Sequence, residues 1–393
     1  MRVAGVIAEY NPFHLGHAWQ LQEARRLAKA DAVIVVMSSC FTQRGEASLL
    51  SPADRARMAL RCGADAVFAL PACWSVRDAE HFALGGVALL SGLGCSVISF
   101  GTETADIPLL QQTAQTLEHP ENEFSAALQA RLATGMPYPA AMSAVMEEKL
   151  PGSGVLLSAP NSTLAVCYLR AMLRLGKPME ICPVPRLTSY HDTALTDALP
   201  SATALRGAIL RGDWARSRTA MPEAAFDVLL DAVRSGRIHR PEALDTALIY
   251  RLRTMSDAEY AALPDASEGI EQRLASSAGY AAAREDLLIL AKTRRYPYAR
   301  LSRMATHALL GITDELLHKA ALPDAAWLLG FRQEAQPLFR HIKQHGSLPL
   351  IGKAADHDRC TPWFETELRA YDLWSLGASM PAGLGLTQGV VRE

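Results

Sequence analysis

The sequence predicts an α/β domain built on a parallel sheet, followed by an α-helical domain, and three observations predict it. Short apolar runs alternate with helical stretches across residues 2–100. Those runs are apolar throughout, the pattern of strands buried on both faces. After residue 211 the strand-like signal vanishes, and Ala, Leu, Arg and Glu at helical spacing dominate to residue 345.

Taken in order, residues 2–8 read as a strand and 18–30 as an amphipathic helix. Residues 32–37, Ala-Val-Ile-Val-Val-Met, are a second strand, 52–62 a helix and 66–70 a short strand. Residues 79–93 are helical and 95–100 a strand. The polar, Ala- and Gln-rich stretch 104–148 reads as helices inserted between sheet elements, and strand signal returns at 181–185. There is no internal repeat and no low-complexity linker. A chain of 393 residues exceeds one compact core at roughly 150 residues per domain. The change of texture divides it into residues 1–212 and 213–393.

With 49% hydrophobic and 20% charged residues the chain is not disordered. Lys plus Arg at 39 against Asp plus Glu at 41 gives 39 − 41 = −2, which neither favours nor excludes nucleic acid. No apolar run approaches the ~20 residues that cross a bilayer, and a single Arg precedes the first strand without a cleavable apolar region. The expectation is a soluble, cytoplasmic protein with no membrane partner. The seven cysteines, at 40, 62, 73, 95, 167, 182 and 360, form no C-x-x-C pair. Buried free thiols are expected rather than a metal site or a disulfide framework.

The chemistry begins at the first strand-to-helix turn, Glu9-Tyr10-Asn11-Pro12-Phe13-His14-Leu15-Gly16-His17. In an open parallel sheet ligands bind at the carboxyl ends of strands, where a helix N-terminus offers free N–H groups to phosphate. Asn11-Pro12 forces an extended turn, and Gly16 removes a side chain where a nucleotide approaches. His14 and His17, three apart, point the same way in a first helical turn and suit phosphate oxygens that gain charge during attack on phosphorus. A lone histidine there reads better as a cap or a packed ring; two in this setting read as catalytic. The pattern resembles the H-x-G-H signature of the nucleotidyltransferase superfamily, whose Rossmann-like domain is accordingly expected in residues 1–212. That superfamily carries a second phosphate turn, and Pro200-Ser201-Ala202-Thr203-Ala204-Leu205-Arg206 fits it. Ser201 is a good N-cap, Thr203 brings a hydroxyl to the first turn, and Arg206 suits the β- and γ-phosphates.

Further segments narrow the resemblance. Phe41-Thr42-Gln43-Arg44-Gly45-Glu46 follows the second strand, where a substrate loop belongs. Gly63-Ala64-Asp65-Ala66-Val67-Phe68-Ala69-Leu70-Pro71 and Ser99-Phe100-Gly101-Thr102-Glu103 each end a strand at the same sheet edge. Pro160-Asn161-Ser162-Thr163-Leu164-Ala165 opens a helix, and Arg186 precedes Tyr190-His191-Asp192. Over residues 3–310 the set resembles the tRNA(Met) cytidine acetate ligase family. The resemblance implies an enzyme that forms acetyl-adenylate from ATP and acetate, with Mg2+ accompanying the ATP. The acetyl group then passes to the N4 amine of the wobble cytidine in elongator tRNA(Met), giving N4-acetylcytidine. It also implies nucleotide contacts along Ile7-Ala8-Glu9-Tyr10-Asn11-Pro12-Phe13-His14-Leu15-Gly16-His17-Ala18-Trp19-Gln20 and at Gly101, Asn161 and Arg186. The chain departs from the family pattern at Ser39-Cys40, where Gly-Asn is expected, at Pro52 in place of lysine, and at Ser162 in place of a second Asn.

The helical half holds the strongest charge cluster, Lys292-Thr293-Arg294-Arg295-Tyr296-Pro297-Tyr298-Ala299-Arg300-Leu301-Ser302-Arg303, with five cations, two tyrosines and no acid in twelve residues. Cations meet phosphates and planar rings stack on unpaired bases. Lys292, Arg294, Arg295, Tyr296, Tyr298, Arg300 and Arg303 are therefore candidate tRNA contacts, although such a run is more often a solvated helix face. Two alternatives stand beside the ligase. One is a small-molecule adenylyltransferase of the same superfamily, which the long helical half disfavours. The other is a catalytically idle RNA-binding protein, which retention of both histidines disfavours.

Overall fold

The structure, a computed structural model, describes residues 1–104, 106–185, 201–353, 356 and 362–393. Eight strands make one sheet: β1 (Val3–Ala8), β2 (Ala32–Ser38), β3 (Ala66–Leu70), β4 (Val97–Thr102), β5 (Glu180–Pro185), β6 (Ala326–Phe331), β7 (Leu350–Ile351) and β8 (Val391–Arg392). In space they run β5-β4-β1-β2-β3-β6-β7, with β8 paired to β6. β1 to β5 are parallel, Val3 lying opposite Ala32 and Ala8 opposite Met37. Every residue of β2 and β3 is buried, so their sequences need no polar alternation. The chain winds from β1 to β2 and β3 on one side, then places β4 and β5 on the other. Between β1 and β4 the winding reverses, and such sheets bind ligands outside the carboxyl ends of the strands at that point.

The first helix, Leu15–Leu27, begins three residues before the expected start because His14 caps it. Pro52–Arg61 begins on the Ser51 cap, whose Oγ accepts Asp54 N–H at 3.0 Å. The stretch expected to hold inserted helices contains Ile107–Glu118, Asn122–Ala133 and Tyr138–Lys149.

The expected run of helix from 211 to 345 is broken by β6, which lies antiparallel on β3 with Ala66 opposite Phe331. Its sequence, Ala-Trp-Leu-Leu-Gly-Phe, is almost wholly buried and lacks both alternation and β-branched residues, so nothing local separates it from a buried helix turn. The hydrophobic cores consequently do not part at residue 212. One core joins β1–β6 to residues 205–244 and 310–391. A second, over residues 248–308, belongs to the helices Asp245–Thr254, Ile270–Ala278, Arg284–Ala291 and Tyr298–Leu310. The six described cysteines are free, and all but Cys62 are buried; Cys360 lies outside the described residues. Among the described residues no helix is long and apolar enough to cross a membrane.

Candidate active site

β1 ends at Ala8, and the next residues turn across the top of the sheet. Tyr10 takes a left-handed backbone at φ +48°, while the Asn11 side chain accepts Leu49 N–H at 2.8 Å. His14 is the N-cap of helix 15–27: its Nδ1 accepts Gly16 N–H at 3.1 Å, and His17 Nδ1 accepts His14 N–H at 3.2 Å. The two imidazoles thus form a reciprocal capping box, a task that Ser and Glu usually share. Their rings stack with centroids 3.6 Å apart and planes 18° apart. On that bonding each neutral ring carries its proton on Nε2, a donor suited to a phosphate oxygen. The first turn holds no acidic residue, so the positive end of the helix dipole is uncompensated. A Cβ on Gly16 would lie 3.0 Å from His14 Cε1, so the glycine gives the His14 ring room to pack against the helix start.

A cavity of about 430 Å³ opens at these residues, a size suited to a small ligand. Ile7, Ala8, Glu9, Tyr10, Asn11, His14, Gly16, His17, Trp19 and Gln20 line it, joined by Gly101, Asn161, Ser201, Thr203 and Arg206. Pro12, Phe13, Leu15 and Ala18 are not on the lining, and Phe13 and Ala18 turn into the core. Arg186 and the segment Tyr190-His191-Asp192 lie outside the described residues. Ser201 caps the helix Ala202–Leu210 through Ala204 N–H. Arg206 ties this turn to the one after β1. It donates to Asn11 O at 2.9 Å and to Thr203 Oγ1 at 3.3 Å, and it pairs with Glu46 at 3.2 Å. Asn161 donates to Glu103 at 2.5 Å, and Ser162 adds its N–H and its hydroxyl, each at 2.8 Å. Burial pushes the Glu103 carboxyl up, but these hydrogen bonds outweigh it and hold the group below the usual carboxylate range.

The departures from the family pattern have structural work. Ser162 helps Glu103 cap the helix Pro160–Leu175. Ser39 donates its hydroxyl to Glu367, a buried carboxylate that also accepts Ala72 N–H at 2.6 Å. Cys40 is fully buried, and burial pushes its thiol well up. Pro52 sits at the first position of its helix, where no N–H is needed.

Three residues hold the site without having been singled out in the sequence. Arg55 is fully buried and donates to Glu9 O at 2.7 Å, Ser38 O at 2.8 Å, Leu50 O at 3.2 Å and Ser39 O, pinning the chain beyond β1 and β2. Burial lowers its pKa to about 10. Glu367 is the second, and burial raises its carboxyl to about 7. The third, Arg284, lies half-buried under the 42–46 turn and donates to Gly45 O at 2.6 Å, Ser302 O at 2.8 Å and Thr306 Oγ1 at 2.9 Å. A local signal existed only for Arg55, an arginine amid the buried run Ala53, Ala56, Met58, Ala59 and Leu60.

In the basic run the fold supplies acids that the run itself lacks. Arg295 pairs with Glu268 at 3.3 Å, and Tyr298 donates to Glu285 at 2.7 Å. Tyr296 donates to Glu268 O at 2.5 Å, and Arg300 to Asp265 O at 2.7 Å. Arg303 is half-buried, and its buried Nε has no partner among the described residues. The Lys292 and Arg294 side chains are exposed and make no hydrogen bond or ion pair among the described residues. A separate cavity of about 400 Å³, lined by residues including Asp54, Arg57, Asp231 and Arg237, offers a ligand little. Arg57 and Arg237 are there already paired with Asp54, at 3.1 and 3.4 Å, and Arg237 also with Asp231 at 2.6 Å.

Comparison with known proteins adds a lineage to this geometry. The family described as HIGH Nucleotidyl Transferase matches residues 1–383. A protein named tRNA(Met) cytidine acetate ligase from Geobacillus sp. (strain WCH70) is 35% identical over 380 residues, covering 94% of this chain and 93% of its own. Its namesake in Bacillus subtilis (strain 168) is 32% identical over 390 residues, covering 97% and 94%. A crystal structure of Thermotoga maritima TmcAL bound with alpha-thio ATP superposes with a TM-score of 0.93 at 26% identity, covering 100% of this chain and 99% of that one.

Proposed function

This chain belongs to the tRNA(Met) cytidine acetate ligase family, within the HIGH nucleotidyl transferases, and on that footing we propose that it activates acetate with ATP and acetylates a tRNA cytidine. The observation that carries the reading is the convergence of two phosphate-suited turns on one cavity. The stacked His14 and His17 cap one helix there, and Ser201, Thr203 and Arg206 open another. An acetate oxygen attacks the α-phosphorus of ATP, the bond to the β-phosphate breaks, and pyrophosphate leaves with the electron pair. The Nε2–H groups of His14 and His17 stabilise the charge that grows on the α-phosphate oxygens. The N4 amine of the wobble cytidine in elongator tRNA(Met) then attacks the acyl carbon and AMP departs, giving N4-acetylcytidine. Adenylation is needed because the acetate carboxylate is a poor electrophile, and positioning is needed because the amine lone pair is delocalised into the base.

The tRNA reaches the cavity from residues 213–393, with Lys292 and Arg294 its first cationic contacts, while residues 1–212 carry the ATP chemistry. Its cytidine leaves the stack to enter, which a single-stranded loop permits at least cost. Among the described residues no group of three or more His, Cys, Asp or Glu gathers to hold a metal. Mg2+ would accompany the ATP phosphates. Acting on tRNA, the protein works in the cytoplasm. The test supplies labelled acetate with ATP, or labelled acetyl-coenzyme A alone, to the protein and elongator tRNA(Met). Label entering the wobble cytidine from acetate with ATP is expected; label entering only from acetyl-coenzyme A overturns the reading.

A further inference from the structure

The reaction proposed above brings together two anions, acetate and the triphosphate, and each needs positive charge at the moment of attack. The cavity has two described arginines on its lining, Arg44 and Arg206. Arg206 is committed to Asn11, Thr203 and Glu46, where a phosphate has to be met. Arg55 stands behind the site with its guanidinium given to four carbonyls. The Arg44 side chain is exposed into the cavity and makes no hydrogen bond or ion pair among the described residues.

The backbone that presents Arg44 is held from both sides. Thr42 N–H reaches Glu46 O and Gly45 N–H reaches Thr42 O, each at 2.9 Å, closing a tight turn. Arg44 O accepts Ser302 Oγ at 2.6 Å, and Gly45 O accepts Arg284 Nη2 at 2.6 Å and Thr306 Oγ1 at 2.5 Å. Gly45 sits at φ +75°, where a Cβ would come within 2.7 Å of Ser302 O, so no other residue fits this approach. Arg284 commits its half-buried guanidinium to this turn, and the turn presents to the cavity a cation that is unpaired among the described residues. Glu9, which lines the same cavity, forms no ion pair with Arg44 among the described residues. Its carboxylate accepts Gln43 N–H at 2.6 Å, and burial pushes the group above the usual carboxylate range.

We propose that Arg44 is the acetate-binding residue, its planar guanidinium fork receiving the carboxylate beside the α-phosphate. The assignment rests on the ligase reading above. A fork matches a carboxylate through two parallel hydrogen bonds, leaving the attacking oxygen oriented by its partner. Arg44 shares its cavity with His14 and His17 rather than the exposed face that carries Lys292 and Arg294, which favours acetate over an RNA phosphate as its ligand.

The test is acetate-dependent exchange of radiolabelled pyrophosphate into ATP, run with and without tRNA on the full-length protein. Arg44→Ala should raise KM for acetate roughly 10- to 100-fold, the scale of a missing charge-assisted hydrogen bond. KM for ATP, tRNA affinity and thermal unfolding should be unchanged, and Arg44→Lys should fall between. An unchanged acetate dependence overturns the assignment, and so does weakened tRNA binding with normal exchange, the outcome of an RNA phosphate contact. Equal losses for acetate and ATP overturn it too, as a disordered loop. Wild-type protein that exchanges no pyrophosphate in response to acetate sinks the ligase reading itself, which separates the two failures.

Discussion

The cap that His14 forms and the phosphate-donor role proposed for it can be pulled apart by chemistry. Its Nδ1 accepts Gly16 N–H, one of the bonds at the start of helix 15–27, and on the proposed function Nε2 is the donor to ATP. His14→Ala removes both, and loss of an N-cap costs about 1 kcal/mol. His14→Asn keeps a capping acceptor, since the Asn carbonyl reaches the same N–H, and should lie within a few tenths of a kcal/mol of wild type. Neither variant keeps a donor in the place of Nε2, so both should slow pyrophosphate exchange by roughly 10²–10³-fold, the effect of losing one transition-state donor. Thermal unfolding should therefore separate the two variants while exchange does not. If Asn restored near-wild-type exchange, His14 would be a cap alone, and the catalytic assignment of the pair would fall with it.

Other expectations follow from the rest of the site. Burial holds the Glu367 carboxyl at about 7 in the folded chain, above the ordinary 4.5, so the folded state binds the extra proton. The stability this proton supplies is fully present below about pH 4.5 and is lost as pH rises through about 7. Glu367→Gln should flatten that fall in denaturation midpoints across the same window, and an unchanged profile would refute the buried-proton account. Replacing Lys292 and Arg294 by Ala should lower the salt slope of tRNA binding by about 0.7–0.9 for each phosphate left without its cation. Acetate-dependent exchange should be untouched; a collapse of exchange would assign the two residues to the nucleotide site. A fragment of residues 1–212 lacks β6, the Glu367 bond to Ala72 and the Trp374 bond to Ser48. It should fail to unfold cooperatively, and a sharp native-like transition would show the returning segment to be dispensable.

β1 to β5 were legible within two residues at each end, because each apolar run is flanked by helical spacing. The helix at residue 15 was not, because imidazole is a rare capping group and the expected start waited for the apolar period to begin at 18. β6 escaped because a wholly buried edge partner shows no alternation. The turns at residues 9–17 and 201–206, which line one cavity, were legible as motifs because each is a continuous stretch of sequence. What holds them and the neighbouring 39–46 loop is not local: Arg206 meets Asn11 across 195 positions, Arg284 meets Gly45 across 239 and Glu367 meets Ser39 across 328. The basic run read as acid-free because Glu268 comes from the turn before helix Ile270–Ala278 and Glu285 from helix Arg284–Ala291. No window along the chain contains those pairings.

The late return of the chain to its own sheet has a consequence during synthesis. As β1, β2 and β3 leave the ribosome they can pair in parallel at once, but the outer edge of β3 waits through residues 71–325 for β6 to cover it. That edge, Val67 and Phe68 among it, is apolar and fully buried in the finished protein, the kind of strand that recruits another chain when left open. A nascent polypeptide stalled before residue 326 therefore carries an adhesive flank. The burden on chaperones should peak while the helices between residues 107 and 319 are being made and end when Ala326–Phe331 docks.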